Sequence, residues 1–260
     1  MKHIASDHFG NIPSPSNFNE LMEFVEHTSK SERNVVRMWR GQADVRWQID
    51  STAYRRLSLD GNPTEGDISF YEKNLIKHAT HKGYRNVNGL KLSDFDLLAR
   101  LQHHGAATRL IDASRNVLVA LYFACATAPR TDGVLLGLHT DYLGGYEAEP
   151  KEDDYDQVVA GLEDILHPQT WEPPAITPRI SAQSAQFLYS AVAKNNFGSL
   201  HIDKKKDALI ALAISSKLKS HYLEVLARSF DIRRITLFPD IDGFCAANRS
   251  DVGRWEIYRW

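Results

Sequence analysis

A run of polar residues suited to chemistry lies at residues 102–112, between two strongly apolar segments. Arg109 offers a planar guanidinium that suits phosphate binding. His103 and His104 can exchange a proton near neutral pH, and Asp112 can orient either of them. This pattern predicts a site for an anion or a nucleotide.

The same residues also fit a structural turn. A polar link between two core helices must satisfy its own hydrogen bonds. In that interpretation Arg109 pairs with Asp112, Thr108 caps a helix, and a histidine bonds to the backbone. Because buried ion pairs often serve only the fold, both interpretations stay open on this segment alone.

A second cluster begins with Trp39, Arg40, Gly41 and Gln42 and continues through residues 50–56. Arg40 follows a β-rich segment, and Gly41 permits close approach of the backbone. Six arginines within 24 residues make the region basic: Arg33, Arg37, Arg40, Arg46, Arg55 and Arg56. The aromatic residues interleaved with them are Trp39, Trp47 and Tyr54. This mixture suits stacked bases and phosphates, although a hairpin with a solvated basic face and core tryptophans explains it as well.

Several well-known binding and catalytic motifs are absent from the sequence. It contains no G-x-x-x-x-G-K-[ST], G-x-G-x-x-G or H-E-x-x-H pattern and no G-x-S-x-G nucleophile elbow. Adjacent histidines on a helix point about 100° apart, so His103 and His104 rarely share one metal ion. We expect no bound metal.

Hydrophobic periodicity predicts interspersed helices and strands. The predicted helices are residues 16–28, 69–79, 93–104, 116–126 and 216–230. The predicted strands are residues 34–39 and 47–49, which form a hairpin, then 133–139, 179–193 and 208–214, with an extended segment at 235–238. Ser93 is expected to cap the third helix and Gly105 to end it. No regular βαβ series appears, so we expect an α+β fold: one mixed domain over residues 1–260, with a central, partly antiparallel sheet flanked by helices.

The composition is that of an ordinary globular protein. Of the 260 residues, 43% are hydrophobic and 25% are charged, which argues against a disordered chain. The net charge of -2 gives no global signal for nucleic acid, but a local basic site is compatible with it. Two cysteines outside any C-x-x-C pair fit a reducing compartment. Without an apolar signal-peptide core or a long apolar segment, we expect a cytoplasmic protein with no membrane partner.

An acidic stretch follows the predicted strand at residues 133–139. Residues 141–172 contain ten Asp or Glu residues and one Lys, and the stretch closes on three prolines by residue 178. A solvated peripheral insertion at about residues 141–178 explains this composition. An acidic lid that shields a basic site is the alternative.

Together these motifs resemble the FRG domain family, which is named for an aromatic-Arg-Gly motif. The similar positions follow the family's order from about residue 35 to residue 244. They are Trp39, Arg40, Gly41 and Gln42; residues 47–56; residues 102–105 leading to 108–112; residues 120–124; Arg179 with Gln183; and residues 236–243. The departures are Trp39 where Phe is usual, Ala106 and Ala107 where Pro often comes second, and Ser184 to Phe187 where a Gly usually precedes the Phe. None of these departures removes a polar site residue.

The resemblance implies a function as well as a family. FRG members occur in bacteria and phages near defence or toxin–antitoxin genes, which implies an antitoxin protein as a partner. The order of parts is also similar to that of ADP-ribosyltransferases, which implies an ADP-ribosyltransferase-like fold with NAD as cofactor. In that comparison a first strand ends in Arg40, a second carries Ser51 and Thr52, and a later strand carries Gln183 or Gln186. No Glu occupies the reacting position, and Gln would stabilise the transition-state charge less well.

We therefore expect an NAD-dependent ADP-ribosyltransferase, a toxin or anti-phage effector that modifies nucleic acid, with RNA favoured and single-stranded DNA as a second option. The catalytic residues implied are Arg40, His104 and Gln183. The NAD-binding residues implied are Arg40, Gly41, Gln42, Ser51, Thr52, Thr108 and Arg109. The structural or orienting residues are Gln102, His103 and Asp112. The alternatives are a nucleic-acid-binding sensor or adaptor without chemistry, and a nuclease that uses His104 and Asp112.

Overall fold

The computed structural model describes residues 1–28, 35–87, 89–146, 154–174, 177–203 and 208–249. Its strands are β1 (Lys2–Ser6), β2 (Gly10–Ser14), β3 (Val36–Gln42), β4 (Asn86–Val87), β5 (Leu90–Lys91), β6 (Ile111–Ser114), β7 (Gly133–His139), β8 (Gly144–Tyr146), β9 (Gln169–Trp171), β10 (Ala185–Tyr189) and β11 (Leu209–Ile214). Its helices are α1 (Phe18–Thr28), α2 (Thr52–Leu57), α3 (Glu65–His81), α4 (Asp94–His103), α5 (Val117–Cys125), α6 (Tyr155–Val159), α7 (Pro178–Ala182), α8 (Ser216–Phe230), α9 (Arg234–Leu237) and α10 (Ile241–Ala247). Short 3-10 turns lie at Thr140–Tyr142 and Leu162–Asp164.

A seven-stranded sheet organises the molecule in the order β11-β7-β3-β6-β10-β9-β8. Every pairing in this sheet is antiparallel except that of β8 with β9. The pairs β1–β2 and β4–β5 form separate two-stranded ribbons. The expected mixed α+β fold with a partly antiparallel sheet flanked by helices is confirmed at this level.

Helix α5 is the central helix of the core because it is apolar on every side. It packs against β3, where Gly41 makes the contact close. A Cβ atom at Gly41 would lie 1.8 Å from the Ala120 carbonyl oxygen and 2.6 Å from the Ala124 nitrogen. Gly41 therefore lets the helix approach the strand that carries Arg40.

Local capping fixes the helices around the site. Ser93 and Asp96 form a capping box at the start of α4, and Thr64 and Asp67 form one at the start of α3. After α4, Gly105 adopts a φ of 89°, a left-handed conformation that suits glycine and ends the helix. The predicted Ser93 cap and Gly105 stop are confirmed.

Most of the predicted elements are present. The predictions for residues 133–139 and 216–230 are confirmed at both ends, and those for 16–28, 69–79, 93–104, 116–126 and 208–214 are confirmed with shifted ends. The predicted strand at 179–193 is partly wrong, since its first residues form α7 before β10 begins. The predicted hairpin strand at 34–39 is β3, but part of that prediction, Asn34, lies outside the described residues.

Two predictions of extended structure are wrong. Residues 47–49 form no strand, because Trp47 closes a turn on Asp44 and Ile49 bonds to Phe197 in a distant loop. Ser51 therefore does not lie on a second strand but caps α2, where its hydroxyl accepts from the Tyr54 N–H. Residues 234–237 form the short helix α9 instead of an extended segment.

The acidic stretch lies at one edge of the sheet. Its described residues supply β8 and β9, and they also bury Tyr155, Leu162 and Trp171 in the core around Phe95. The stretch thus combines an edge position with side chains that belong to the core. Within the described part of the chain, no helix is long and apolar enough to cross a bilayer.

Candidate functional site

A cleft of about 390 Å³ lies where β3, β6 and β10 meet α4, α5 and α7. That volume is within the range of small-molecule sites. Its charged and amide side chains are Arg40, Gln42, Gln48, Asp50, Arg55, Gln102, His103, Asp112, Arg179 and Gln183. Its aromatic side chains are Trp39, Trp47, Phe123, Phe187 and Phe238. The structure thus brings residues from both polar clusters of the sequence into one cavity.

Arg40 projects from the end of β3 into the gap beside β6. Among the described residues, β3 and β6 pair only at Trp39 and Ser114. Next to this pair the strands separate, and the Arg40 Nη1 donates to the Asp112 backbone carbonyl oxygen at 2.6 Å. The side chain is half-buried, and its buried Nε has no hydrogen-bond partner among the described residues. Burial lowers the pKa of Arg40, the charge of Asp112 opposes that shift, and Arg55 adds to it. Arg40 remains charged and keeps hydrogen-bonding capacity for an anion.

Asp112 faces the same cavity with one carboxylate oxygen held in place. Gln102 Nε2 donates to Asp112 Oδ1 at 2.8 Å. The orientation of that amide is fixed by Thr108, whose hydroxyl donates to Gln102 Oε1. Thr108 is fully buried, and its N–H donates to Thr52 Oγ1 at 2.9 Å. Gln102, predicted as a structural or orienting residue, thus holds the Asp112 carboxylate through this hydrogen bond.

The far wall of the cleft is closed by a bidentate ion pair. Arg179 donates to both oxygens of Asp240, at 2.5 and 2.8 Å, and lies over the Phe238 ring at 4.9 Å. The hydrogen bonds from Arg179 lower the pKa of Asp240 to about 2, with help from the Gly243 N–H. His103 Nε2 lies 3.2 Å from Asp240. Arg179 is thus already occupied by a carboxylate, unlike Arg40.

His103, not His104, lies in the cleft. Burial lowers the pKa of His103, and the charges of Arg179 and His104 lower it further. His104 is exposed outside the cleft lining, with Nδ1 3.7 Å from Asp242. The structure therefore does not support the predicted role of His104 as a catalytic proton acceptor within the cleft, because adjacent residues at a helix end point in different directions.

Gln183 lines the cleft, whereas Gln186 does not. Gln183 Nε2 donates to the Leu237 backbone carbonyl at 2.9 Å, and the backbone carbonyl of Gln183 accepts from the Ser114 hydroxyl. Gln186 lies on β10, where side chains alternate, and is buried beside Thr170 outside the cleft lining. Of the two glutamines, Gln183 is the one with access to a ligand.

Arg109 is not at the cleft, which corrects its predicted role as a ligand-binding residue. It is 3% exposed, and its Nε donates to Glu72 at 2.6 Å while Nη1 donates to Glu65 at 2.8 Å. Tyr155 and Ser69 accept from its Nη2. Burial alone would lower the pKa of Arg109, but the surrounding Glu72, Tyr155 and Glu65 raise it. The alternative pairing of Arg109 with Asp112 is also wrong, because the partners come from α3.

Four other predicted NAD-binding residues serve the fold as the structure stands. Ser51 and Thr52 begin α2 and lie outside the cleft lining, and Thr108 reaches the cleft only through Gln102. Gln42 lines the cleft, but its Nε2 donates to the Trp47 and Gln48 carbonyls. Gly41, the fifth, also lines the cleft, and its missing side chain makes room for α5.

Sequence reasoning did not identify Glu72, the buried carboxylate that fixes Arg109. A signal for it exists, because Glu72 falls between Ile68 and Ile76 on the buried face of α3. A carboxylate at a core position of an amphipathic helix needs a cationic partner. Asp240 was also missed as a partner of Arg179, since the two are 61 residues apart.

Comparison with protein-family models finds the FRG domain in this chain. The model of the FRG domain matches residues 36–133, from the start of β3 to the first residue of β7. No curated protein and no solved structure matches the chain. The matched segment contains Arg40, Gln102 and Asp112, whereas Arg179, Gln183 and residues 236–243 lie outside it. Residues 36–133 thus match the FRG domain, in agreement with the family resemblance of the sequence motifs.

Proposed function

We propose that the cleft binds NAD and transfers its ADP-ribosyl group to a nucleic acid, with RNA favoured over single-stranded DNA. The observation that carries the proposal is the state of Arg40. Its guanidinium is directed into the cleft, one nitrogen donates to a carbonyl, and no described carboxylate forms an ion pair with it. A partly buried cation without a described counter-ion is costly in a fold, so an anionic ligand explains its presence.

Arg40 and Arg55 together suit a diphosphate. Arg55 is exposed at the rim of the same cavity, and its charge acts on Arg40. Two arginines that share no carboxylate can hold two phosphate groups through charge-assisted hydrogen bonds. Gln183 lines the cleft and has its amide nitrogen engaged with Leu237, which leaves its side-chain oxygen to accept from a ribose hydroxyl.

The strand arrangement supports the ADP-ribosyltransferase-like relationship in part. Arg40 on β3 is adjacent to β6, and β6 is adjacent to β10, which follows Gln183. Three neighbouring strands thus deliver an arginine, an acid and a nearby glutamine to one cavity. Ser51 and Thr52 no longer belong to the analogy, because they begin α2 outside the cleft. The polar side chains next to Arg40 in the cleft come from β6 instead.

The rim of the cleft suits a nucleic-acid acceptor. Trp47 is 48% exposed at the cleft mouth, where its ring is accessible to a base. Stacking of a base on an aromatic ring contributes about 1–3 kcal/mol and tolerates any sequence. With Arg55 lining the same cavity to meet a phosphate, Trp47 favours a single-stranded acceptor.

Labelled NAD tests the activity directly. We expect the protein to release nicotinamide and to transfer label to RNA, with Arg40→Ala inactive at a melting temperature close to that of the wild type. The matched control is Arg130→Ala, which changes an exposed arginine away from the cleft. Absence of both NAD consumption and label transfer, to RNA, single-stranded DNA and total protein alike, would remove the enzymatic proposal.

A binding module without chemistry is the second candidate, favoured by Trp47 and Arg55 alone. It would bind RNA with an affinity that falls steeply with salt and would leave NAD intact. The nuclease alternative has less geometric support, because His104 contacts Asp242 outside the cleft while Asp112 lies within it. Intact RNA after incubation is the expected result.

A toxin or anti-phage role follows from the proposed reaction, since both loss of NAD and modification of RNA arrest growth. An antitoxin would then be a further partner. Induced expression in bacteria is expected to stop growth for the wild type and not for Arg40→Ala at equal protein levels. Growth arrest by both proteins would separate toxicity from the cleft.

A further inference from the structure

Asp112 holds an unusual place in the sheet. It lies on β6, the fourth of seven strands, and its neighbours Ile111, Ala113 and Ser114 are buried. Asp112 is nevertheless exposed, because the cleft opens over it. A central strand is the most covered part of a sheet, so an accessible carboxylate there points to a ligand.

The carboxylate is held on one side and open on the other. Gln102 donates to Oδ1, and the Thr108 hydroxyl forces the amide nitrogen of Gln102 to face Asp112. No described residue donates to Oδ2. One oxygen is thus held by a chain of hydrogen bonds that runs from Asp112 through Gln102 to Thr108, while the other can meet a substrate.

Asp112 is also adjacent to the proposed phosphate-binding arginine without neutralising it. Arg40 donates to the backbone carbonyl of Asp112, and its side-chain carboxylate forms no ion pair with a described residue. The site therefore presents the Arg40 guanidinium to the diphosphate and, next to it, the Asp112 carboxylate to a positively charged group of the ligand.

We propose that Asp112 is the catalytic carboxylate of the cleft, an inference that rests on the proposed reaction with NAD. The bond between ribose C1′ and the nicotinamide nitrogen breaks, and the nitrogen keeps the electron pair, which leaves neutral nicotinamide and a cationic C1′. The free oxygen of Asp112 stabilises that cation. A lone pair of the acceptor then forms the new bond to C1′, and its proton passes to Asp112 and on to solvent.

This assignment supplies the carboxylate that the glutamines cannot. An amide carries no net charge, so Gln183 stabilises a cation less well than Asp112 does. Gln102 is then a positioning residue that acts through Asp112. Its contact is with the carboxylate rather than with the substrate.

The test compares Asp112→Asn with Gln102→Ala and with Asp60→Asn, a change at an exposed residue outside the cleft. Asn keeps the shape and the oxygen that accepts from Gln102. Nicotinamide release and the Kd for NAD are measured separately. We expect Asp112→Asn to lower kcat by at least about 100-fold, with the Kd for NAD within about threefold of wild type, since the diphosphate contacts remain.

The controls separate catalysis from structure. Gln102→Ala is expected to lower kcat by about tenfold, less than Asp112→Asn, because the carboxylate remains but loses its orientation. Asp60→Asn should match the wild type. Two results with an active wild type would overturn the role of Asp112 and leave the proposed reaction standing. Asp112→Asn would either keep its kcat or lose NAD binding rather than kcat. A wild type that neither binds nor consumes NAD overturns the proposed reaction, and the inference with it.

Discussion

Arg40 and Arg109 carry the same guanidinium but occupy opposite electrostatic surroundings. Arg109 is enclosed by Glu72, Glu65 and Tyr155, so its charge is matched within the fold. Among the described residues, Arg40 has a single carbonyl partner and its Nε has none. The pairing of Arg109 stabilises the link between α3 and the residues before β6. The incomplete pairing of Arg40 leaves a binding capacity that the fold does not use.

This difference teaches how to separate a structural arginine from a functional one. Both lie next to apolar segments, and both were predicted to bind a phosphate. The deciding feature is whether a carboxylate from elsewhere in the chain reaches the guanidinium. Evolution tolerates an unmatched, partly buried charge where function needs it.

The largest effect is expected at the matched arginine. Arg109→Ala leaves Glu72, which is fully buried, without its cationic partner. We expect a loss of about 3–5 kcal/mol in the free energy of unfolding. Urea unfolding measures it, with Arg130→Ala as the exposed control, expected to stay within about 0.5 kcal/mol. A change below about 1 kcal/mol for Arg109→Ala would mean that the network is not needed for stability.

Arg179 is an intermediate case, because its partner Asp240 is only partly buried. The hydrogen bonds from Arg179 lower the pKa of Asp240 to about 2 in the fold, from the ordinary value of 3.8. Its contribution to stability is therefore present above about pH 4 and is lost as the pH falls towards 2. We expect Asp240→Asn to cost about 1–2 kcal/mol at pH 6, with the difference from wild type shrinking as the pH falls.

Melting temperatures at a series of pH values test this prediction. Asn can still cap α10 as Asp240 does, so the change reports mainly on the charge. Asp242→Asn, at an exposed residue on the same helix, is the control and should show no such dependence. A difference that stays constant with pH would show that the Arg179 pair does not stabilise the fold through charge.

The sequence predicted the α+β class, the helices α4, α5 and α8 and the strand β7 because these have strong periodicity or clear caps. It placed Arg40 and Asp112 in functional clusters through residue type alone. It did not predict that Ser51 caps a helix, because the resemblance to ADP-ribosyltransferases placed Ser51 and Thr52 on a strand. It did not predict the Arg109 network, because Glu72 and Glu65 lie 37 and 44 residues away in the chain. Ion pairs between residues that are distant in the chain decide whether an arginine is structural, and the local sequence pattern does not predict them.

The smallest effect on stability is expected at the unmatched arginine. Arg40→Met removes a desolvated cation and fills the same space with an apolar chain, so we expect a change within about 1 kcal/mol and in either direction. Urea unfolding under the conditions used for Arg109→Ala gives the comparison. A loss above about 3 kcal/mol would place Arg40 with the structural arginines.

Isothermal titration of NAD into the wild type and into Arg40→Met tests the central claim most directly. We expect the wild type to bind with a Kd below about 1 mM. Arg40→Met should bind at least about tenfold more weakly, because a charge-assisted hydrogen bond contributes about 1.5–3 kcal/mol. The two proteins should be equally folded. Equal affinity in both, or no binding by the wild type, would contradict the assignment of Arg40 as the residue that holds the ligand.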